Sequence, residues 1–209
     1  MRCLADDPRH CKIAKTTKQS FGTMKFAVVD LETTGGTSDV GRITEVGIVL
    51  LDDCEIVGTF SALVDPGMPI QPYVQNLTGI TDETVRGKPQ FASIADEVAE
   101  LLRDRIFVAH NVQYDIGFMW TELKRCCIRI DPPRLCTVKI SRRFFPGLPS
   151  YSLHKLTQLL GLPEFKHHRA LDDAMAAAEI LKLAYKKVGP EKLMKEVKNN
   201  GLRICKHND

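Results

Sequence analysis

Long apolar runs are missing from this 209-residue chain, and none approaches the roughly 18–20 residues needed to cross a bilayer. The first twenty-odd residues also lack the continuous apolar stretch of a secretory signal, so neither a membrane span nor export is expected. Cys-x-x-C spacing is absent too. The seven cysteines (Cys3, Cys11, Cys54, Cys126, Cys127, Cys136 and Cys205) are odd in number, which argues against a disulfide framework and a zinc ribbon and for a reducing, cytoplasmic setting. There is no internal repeat and no low-complexity tract, which excludes a solenoid. A strong charge of either sign is lacking: the net charge of +3 neither demands nor forbids a nucleic-acid partner. With 44% hydrophobic and 26% charged residues, the chain reads as one main domain able to bury its own core without covalent or metal staples.

Residues 1–24 are polar and mildly basic without periodicity, and read as a loose extension or as the product of a start codon upstream of Met24. A domain is expected over 25–188, and a polar tail over 189–209. Short apolar runs at 26–29, 43–51 and 56–64 predict three strands in quick succession, an antiparallel meander, and 106–109 predicts a fourth. Apolar spacing predicts helices leading up to Leu102, over 114–127, 135–143 and 152–160, and most strongly over 170–188, with a last turn or two at 192–198. Strands first, then strands mixed with helices, imply an α/β layered domain with a mixed sheet.

Three sets of carboxylates stand out. Asp30 and Glu32 end the first strand, and period-two alternation puts both on one face, either as a divalent-metal site or as a solvated acidic turn. Asp115 follows the fourth strand at the start of a helix, where a capping role competes with a ligand role. At the head of the last long helix, steps of three and four lead from Asp173 to Ala177, Ile180, Leu181, Ala184 and Val188, the apolar stripe. Steps from Asp172 lead to Ala176, Glu179 and Lys186. Asp173 therefore faces the protein body, where an anion needs a partner, and Asp172 faces water.

Taken together, these residues resemble the DnaQ-like exonucleases of the DEDDh type, the family of bacterial proofreading subunits and related 3′→5′ nucleases. Asp30-Leu31-Glu32-Thr33-Thr34-Gly35 is similar to the family's first motif. His110-Asn111 with Asp115, and the aromatic Phe118, is similar to the second, and His168 with Ala170 and Asp173 to the third. His167 and Asp172 share the spacing of His168 and Asp173, and Ala170 together with the helical face selects the latter pair. The segment Leu77-Thr78-Gly79-Ile80-Thr81-Asp82-Glu83 is similar to the family's spacer, and the likeness covers roughly 25–188.

The resemblance implies an RNase H-like fold, a five-stranded mixed sheet flanked by helices. It implies that Asp30, Glu32, Asp115 and Asp173 hold two Mg²⁺ or Mn²⁺ ions and that His168 is the general base, since a free imidazole titrates near neutrality. The expected substrate is a single-stranded 3′ end, DNA favoured over RNA, with a DNA polymerase subunit among the implied partners. Thr33 and Thr34 are candidate contacts to the terminal nucleotide, reading equally as β-branched strand-end residues, and Asn111 is a candidate hydrogen-bond partner of the substrate or of the motif's own backbone. His110 reads as structural, as do His10, His154 and His207. The basic bias of Lys124, Arg125, Arg129, Arg134, Lys139, Arg142 and Arg143 fits a solvated face or a groove for a strand, with Phe144, Phe145 and Tyr151 available for base stacking or for core packing. Alternatives are RNA 3′-end trimming or oligoribonucleotide degradation, an aspartyl phosphatase, in which Glu32 would stand where an aspartate is needed, and a non-catalytic nucleic-acid-binding module. Asp173→Ala is expected to abolish hydrolysis in a protein that still melts cooperatively, while Asp172→Ala changes the rate little. Equal loss from the two would reverse the assignment.

Overall fold

A computed structural model of the chain describes residues 22–165 and 168–199. Nearly all of the expected N-terminal extension therefore lies outside the described residues, as do Lys166, His167 and the tail beyond 199. The expected meander is present. Strand β1 (Lys25–Thr33) pairs antiparallel with β2 (Ile43–Asp52), which pairs antiparallel with β3 (Glu55–Leu63). Strand β4 (Ile106–Ala109) lies parallel to β1, and β5 (Arg134–Cys136) parallel to β4, giving a five-stranded mixed sheet of order β3-β2-β1-β4-β5.

Alternation along β1 divides the interior into two cores. Ala27, Val29 and Leu31 join Val46 and Ile48 on one face, beneath α3 (Phe91–Leu102) and α4 (Val112–Arg125). In α3 the buried residues Phe91, Ala95, Val98 and Leu102 recur at the helical interval; the sequence pattern through Ile94, Val98, Leu101 and Leu102 finds the helix, with Ile94 and Leu101 only partly buried. Phe26 and Val28 join Val49, Leu51, Val108 and Leu135 on the other face, beneath α7 (Ala170–Val188). Burying a side chain of the size of Phe26 or Leu51 contributes about 1.5–3 kcal/mol each. The same alternation carries this second face on to Asp30 and Glu32, so the apolar strand and its two carboxylates point toward one helix.

Helix α7 lies close to the sheet because its inner surface is built of small residues: Ala174, Ala177, Ala178 and Ala184 are all buried. Its first turn comes closest at Gly47, which pairs with Asp30 across the β1–β2 ladder. A Cβ at Gly47 would collide with the Ala170 carbonyl and the Leu171 amide nitrogen. The glycine thus sets how near the third carboxylate motif comes to the first.

Two differences from the sequence reading have simple causes. The predicted helix over 135–143 begins as strand β5 and turns into α5 (Thr137–Phe144) only afterwards; three buried residues are too few to show a period. Helices α1 (Pro72–Thr78) and α2 (Asp82–Val85) are too short for periodicity to reveal. They form a satellite core of Ile70, Val74, Ile80 and Val85, and the Asp82 carboxylate accepts the Ile70 N–H at 2.8 Å. Helix α6 (Leu153–Leu159) falls where expected. After Gly189 the chain stays on the body as far as Lys198: α8 (Pro190–Met194) buries Leu193, and Lys198 bridges to Arg134 on β5. Among the described residues no helix is long and apolar enough to cross a membrane. Gly47→Ala should push α7 off the sheet and destabilise the fold by about 1–3 kcal/mol, read as a lower denaturation midpoint. An unchanged midpoint would show that the contact yields without strain.

Candidate active site

The carboxyl end of β1 delivers Asp30 and Glu32 to the second face, and the first turn of α7 brings Asp173 over them. Donor atoms of Glu32, His168 and Asp173 all lie within 4.8 Å of one another. Asp115 enters from the first turn of α4, where it is buried and accepts the Leu31 backbone N–H. Four carboxylates from three elements and one histidine are thereby gathered at one end of the central strand. Asp173 is buried and Asp172 is half-exposed, as the helical stripe requires, and His167 lies outside the described residues.

The electrostatics follow from that crowding. Burial, then the charges of Asp115, Asp173, Glu32 and Glu45, hold Asp30 well above the ordinary carboxylate range. Glu32 is raised to about 7, by burial first and then by Asp173 and Glu45, with Arg169 pulling the other way. Burial raises Asp115 to about 8, its own and Leu31's backbone N–H groups opposing the rise and Glu32 adding to it. Hard oxygen donors that repel one another and carry an imidazole at the rim are a donor set suited to Mg²⁺ or Mn²⁺, whose charge relieves the repulsion.

His168 sits just before α7 with φ +63, in the left-handed region that non-glycine residues seldom occupy. Its backbone N–H donates to Asp173 Oδ2 at 3.0 Å, and its side chain is exposed. His110 is structural: Nε2 donates to the Tyr151 carbonyl at 2.9 Å, which leaves Nδ1 facing the Thr137 hydroxyl, also at 2.9 Å. Burial lowers its pKa, opposed by the Tyr151 bond and the charge of Asp173.

The three candidate nucleotide contacts differ in access. Asn111 is exposed and turns the chain into α4 at φ +77, a conformation asparagine tolerates. Thr33 and Thr34 are buried. The Thr33 hydroxyl meets the Tyr114 hydroxyl at 2.9 Å and accepts the Gly35 N–H. The Thr34 hydroxyl accepts the Arg42 N–H at 3.0 Å, so it locks the loop and faces inward.

Part of the basic stretch is committed elsewhere. Arg134 is buried over the Trp120 ring at 4.0 Å, Arg125 pairs with Glu122, and Arg143 pairs with Glu196. Phe144 and Phe145 pack in the second core, and the Tyr151 hydroxyl donates to the Phe145 carbonyl. Arg134, Phe144, Phe145 and Tyr151 are thus taken up by packing, while Lys124, Arg129, Lys139 and Arg142 stay exposed, as a solvated face and a groove would both require. Exposed aromatic surface sits instead at Tyr73 and Tyr114: the Tyr73 hydroxyl touches the space a Cβ on Gly35 would fill, and Tyr114 stacks at 5.0 Å on Phe118. Sequence reasoning also passed over Glu45, although a lone anion inside the apolar run of β2 was a visible signal.

A carboxylate cluster with a rim histidine, at the end of the central strand of an RNase H-like sheet, defines a phosphodiester hydrolase of the metal-using kind. The family model described as an exonuclease, RNase_T, matches residues 27–181. The chain belongs to that exonuclease family, which agrees with the sequence resemblance. It is 37% identical over 174 residues to the DNA polymerase III PolC-type of Clostridium perfringens, covering 83% of this chain and 12% of that protein. It is 34% identical over 168 residues to the 3′-5′ exonuclease DinG of Staphylococcus epidermidis, covering 80% of this chain and 19% of that one. The chain thus spans less than a fifth of the length of these relatives. Among solved structures, Exonuclease X in complex with 5′ overhanging duplex DNA superposes with a TM-score of 0.64 at 29% identity, covering 82% of this chain and 98% of that one. The E. coli Exonuclease I complex with a dT13 oligonucleotide gives 0.73 at 21% identity, over 82% and 43% of the two chains, a likeness of fold.

The raised carboxyls predict a pH response. Between the unfolded value near 4 and the folded values of about 7 and 8, the folded state binds more protons, so stability falls as pH rises through that window. In EDTA the melting temperature should decline from pH 5 to pH 8, and added Mn²⁺ should raise it more at pH 8 than at pH 6. A flat profile would show that the carboxyls are not held in the protonated form.

Proposed function

We propose that this chain removes nucleotides one at a time from the 3′ end of single-stranded DNA, as in proofreading. The observation that carries the reading is the convergence of Glu32, His168 and Asp173 beside Asp30 and Asp115. Asp30, Glu32, Asp115 and Asp173 would hold the cations, and two bound Mg²⁺ or Mn²⁺ ions would offset the negative charge that gathers as the phosphodiester is attacked. His168 takes the proton from the attacking water at an imidazole nitrogen. Water adds to phosphorus, the bond to the 3′ oxygen of the preceding nucleotide breaks, and that oxygen takes a proton from solvent, which releases a nucleoside 5′-monophosphate. Asp173 has a second duty, since its 3.0 Å bond to the His168 N–H fixes the backbone that carries the base.

The reading of the strand as single rests on exposed apolar surface next to the carboxylates. Tyr73 and Leu77 lie one turn apart on α1, and Tyr114 lies on α4; all three are open to solvent. Unstacked bases have flat apolar faces that such side chains accept, whereas a duplex hides them. Asn111 meets the terminal nucleotide directly in this scheme, Thr33 through its hydroxyl pair with Tyr114, and Thr34 by holding the loop. DNA and an associated polymerase are favoured by the likeness to the PolC-type protein, and a cytoplasmic setting by the unpaired Cys54, Cys126, Cys127 and Cys136.

The test is a 5′-labelled single-stranded DNA and its RNA counterpart incubated with the protein in Mg²⁺, in Mn²⁺ and in EDTA. A cation-dependent ladder that shortens from the 3′ end faster on DNA than on RNA is the expected result. A faster RNA ladder would make the chain an RNA-trimming enzyme, and no ladder on either would make it a binding module.

A further inference from the structure

Glu45 is the fifth carboxylate on the catalytic face. It stands directly opposite Glu32 in the β1–β2 ladder and is almost wholly buried, its side chain 2% exposed. Two anions facing each other across a ladder repel, and a buried anion without partners is costly. Glu45 is fully partnered, and by one short piece of chain. Arg169 forks onto it, with Nε 3.2 Å from both oxygens and a terminal nitrogen 2.7 Å from Oε1. The Ala170 N–H, at the positive end of α7, donates to Oε2 at 3.0 Å. The residue before Arg169 is His168, whose own N–H is bonded to Asp173. Residues 168–170 are therefore strapped down by Asp173 at one end and by Glu45 at the other, with the left-handed turn at His168 between them.

We infer that Glu45 and Arg169 are positioning residues, which hold the segment carrying His168 in register with Glu32 and Asp173. The inference rests on the functional reading above for the role of His168, and on the bonds alone for the strap. A pair needed only to neutralise a buried charge could be replaced by two neutral groups without loss. A pair that sets geometry could not. The Arg169 side chain is 42% exposed, so it can be removed without opening the core, and as an ordinary half-exposed ion pair it would contribute little to stability. Its effect belongs to placement, where an ångström of misalignment costs a large part of the rate.

The experiment uses the full chain on 5′-labelled oligo-dT in Mg²⁺, with Arg169→Ala, Arg169→Lys and the double variant Glu45→Gln with Arg169→Ala. Arg169→Ala should lower kcat by about 10- to 100-fold with KM within about twofold. Millimolar guanidinium should recover part of the loss in Arg169→Ala and none in His168→Ala. Arg169→Lys, which keeps charge without the fork, should fall between, and the double variant should stay slow. In EDTA, amide hydrogen exchange over 168–173 should quicken in Arg169→Ala while β1 and the later turns of α7 stay protected. An unchanged kcat, a raised KM with kcat kept, or full recovery in the double variant would each overturn the inference, the second by making Arg169 a substrate contact. If the wild-type chain cleaves neither DNA nor RNA, the functional reading fails separately, and the exchange rates still decide whether the pair fixes the segment.

Discussion

Repulsion between carboxylates governs the layout of this molecule. Asp30, Glu32, Asp115 and Asp173 are forced into one desolvated corner, with Glu45 beside them, and every element around that corner serves to hold charges where water would separate them. The apolar half of β1, buried on both faces, anchors the strand that carries the first two. The alanine surface of α7 and the missing side chain at Gly47 allow a helix to approach close enough to add the fourth. Burial makes the arrangement unfavourable by itself, and the same burial makes a divalent cation strongly welcome there. Fold stability and metal use are thus two views of one electrostatic problem.

The protein resolves the five anions in two different ways. Glu45 has permanent partners, a guanidinium fork and a helix amide, and is in effect a structural group. Among the other four, Glu32 and Asp115 are raised to about 7 and 8 by burial and by their acidic neighbours. That split sets Glu45 apart from the four carboxylates proposed to hold the cations. It also explains why Arg169, next to the histidine, lies on the protein side of the cluster.

Much of this was legible in the sequence because it rests on periodicity. Alternation along β1 placed Asp30 and Glu32 together, and the stripe through Ala177, Leu181 and Ala184 distinguished Asp173 from Asp172. The pattern through Ile94, Val98, Leu101 and Leu102 marked a helix in the same way, although Phe91 and Ala95 complete its buried face. What escaped had too little length or depended on distant partners. Strand β5 has three residues, and its place at the sheet edge is fixed by β4 and by Lys198 rather than by any local pattern. The basic run from Lys124 to Arg143 read as a solvated face or a groove, because composition cannot show that Arg134 lies over Trp120 or that Arg143 reaches Glu196. Glu45 was visible as an odd charge in β2, but its partners are 124 and 125 residues away.

That separation along the chain has a consequence for the order in which the site comes into being. The meander β1-β2-β3 is local and can form early, whereas the pairing of β1 with β4 and the docking of α7 join parts of the chain that are made far apart. Asp30 and Glu32 lie on the first strand of the sheet, and His168 and Asp173 follow all five strands. A half-made chain displays Asp30, Glu32 and Asp115 without His168 and Asp173. Docking of one helix onto one glycine is the step that completes the cluster.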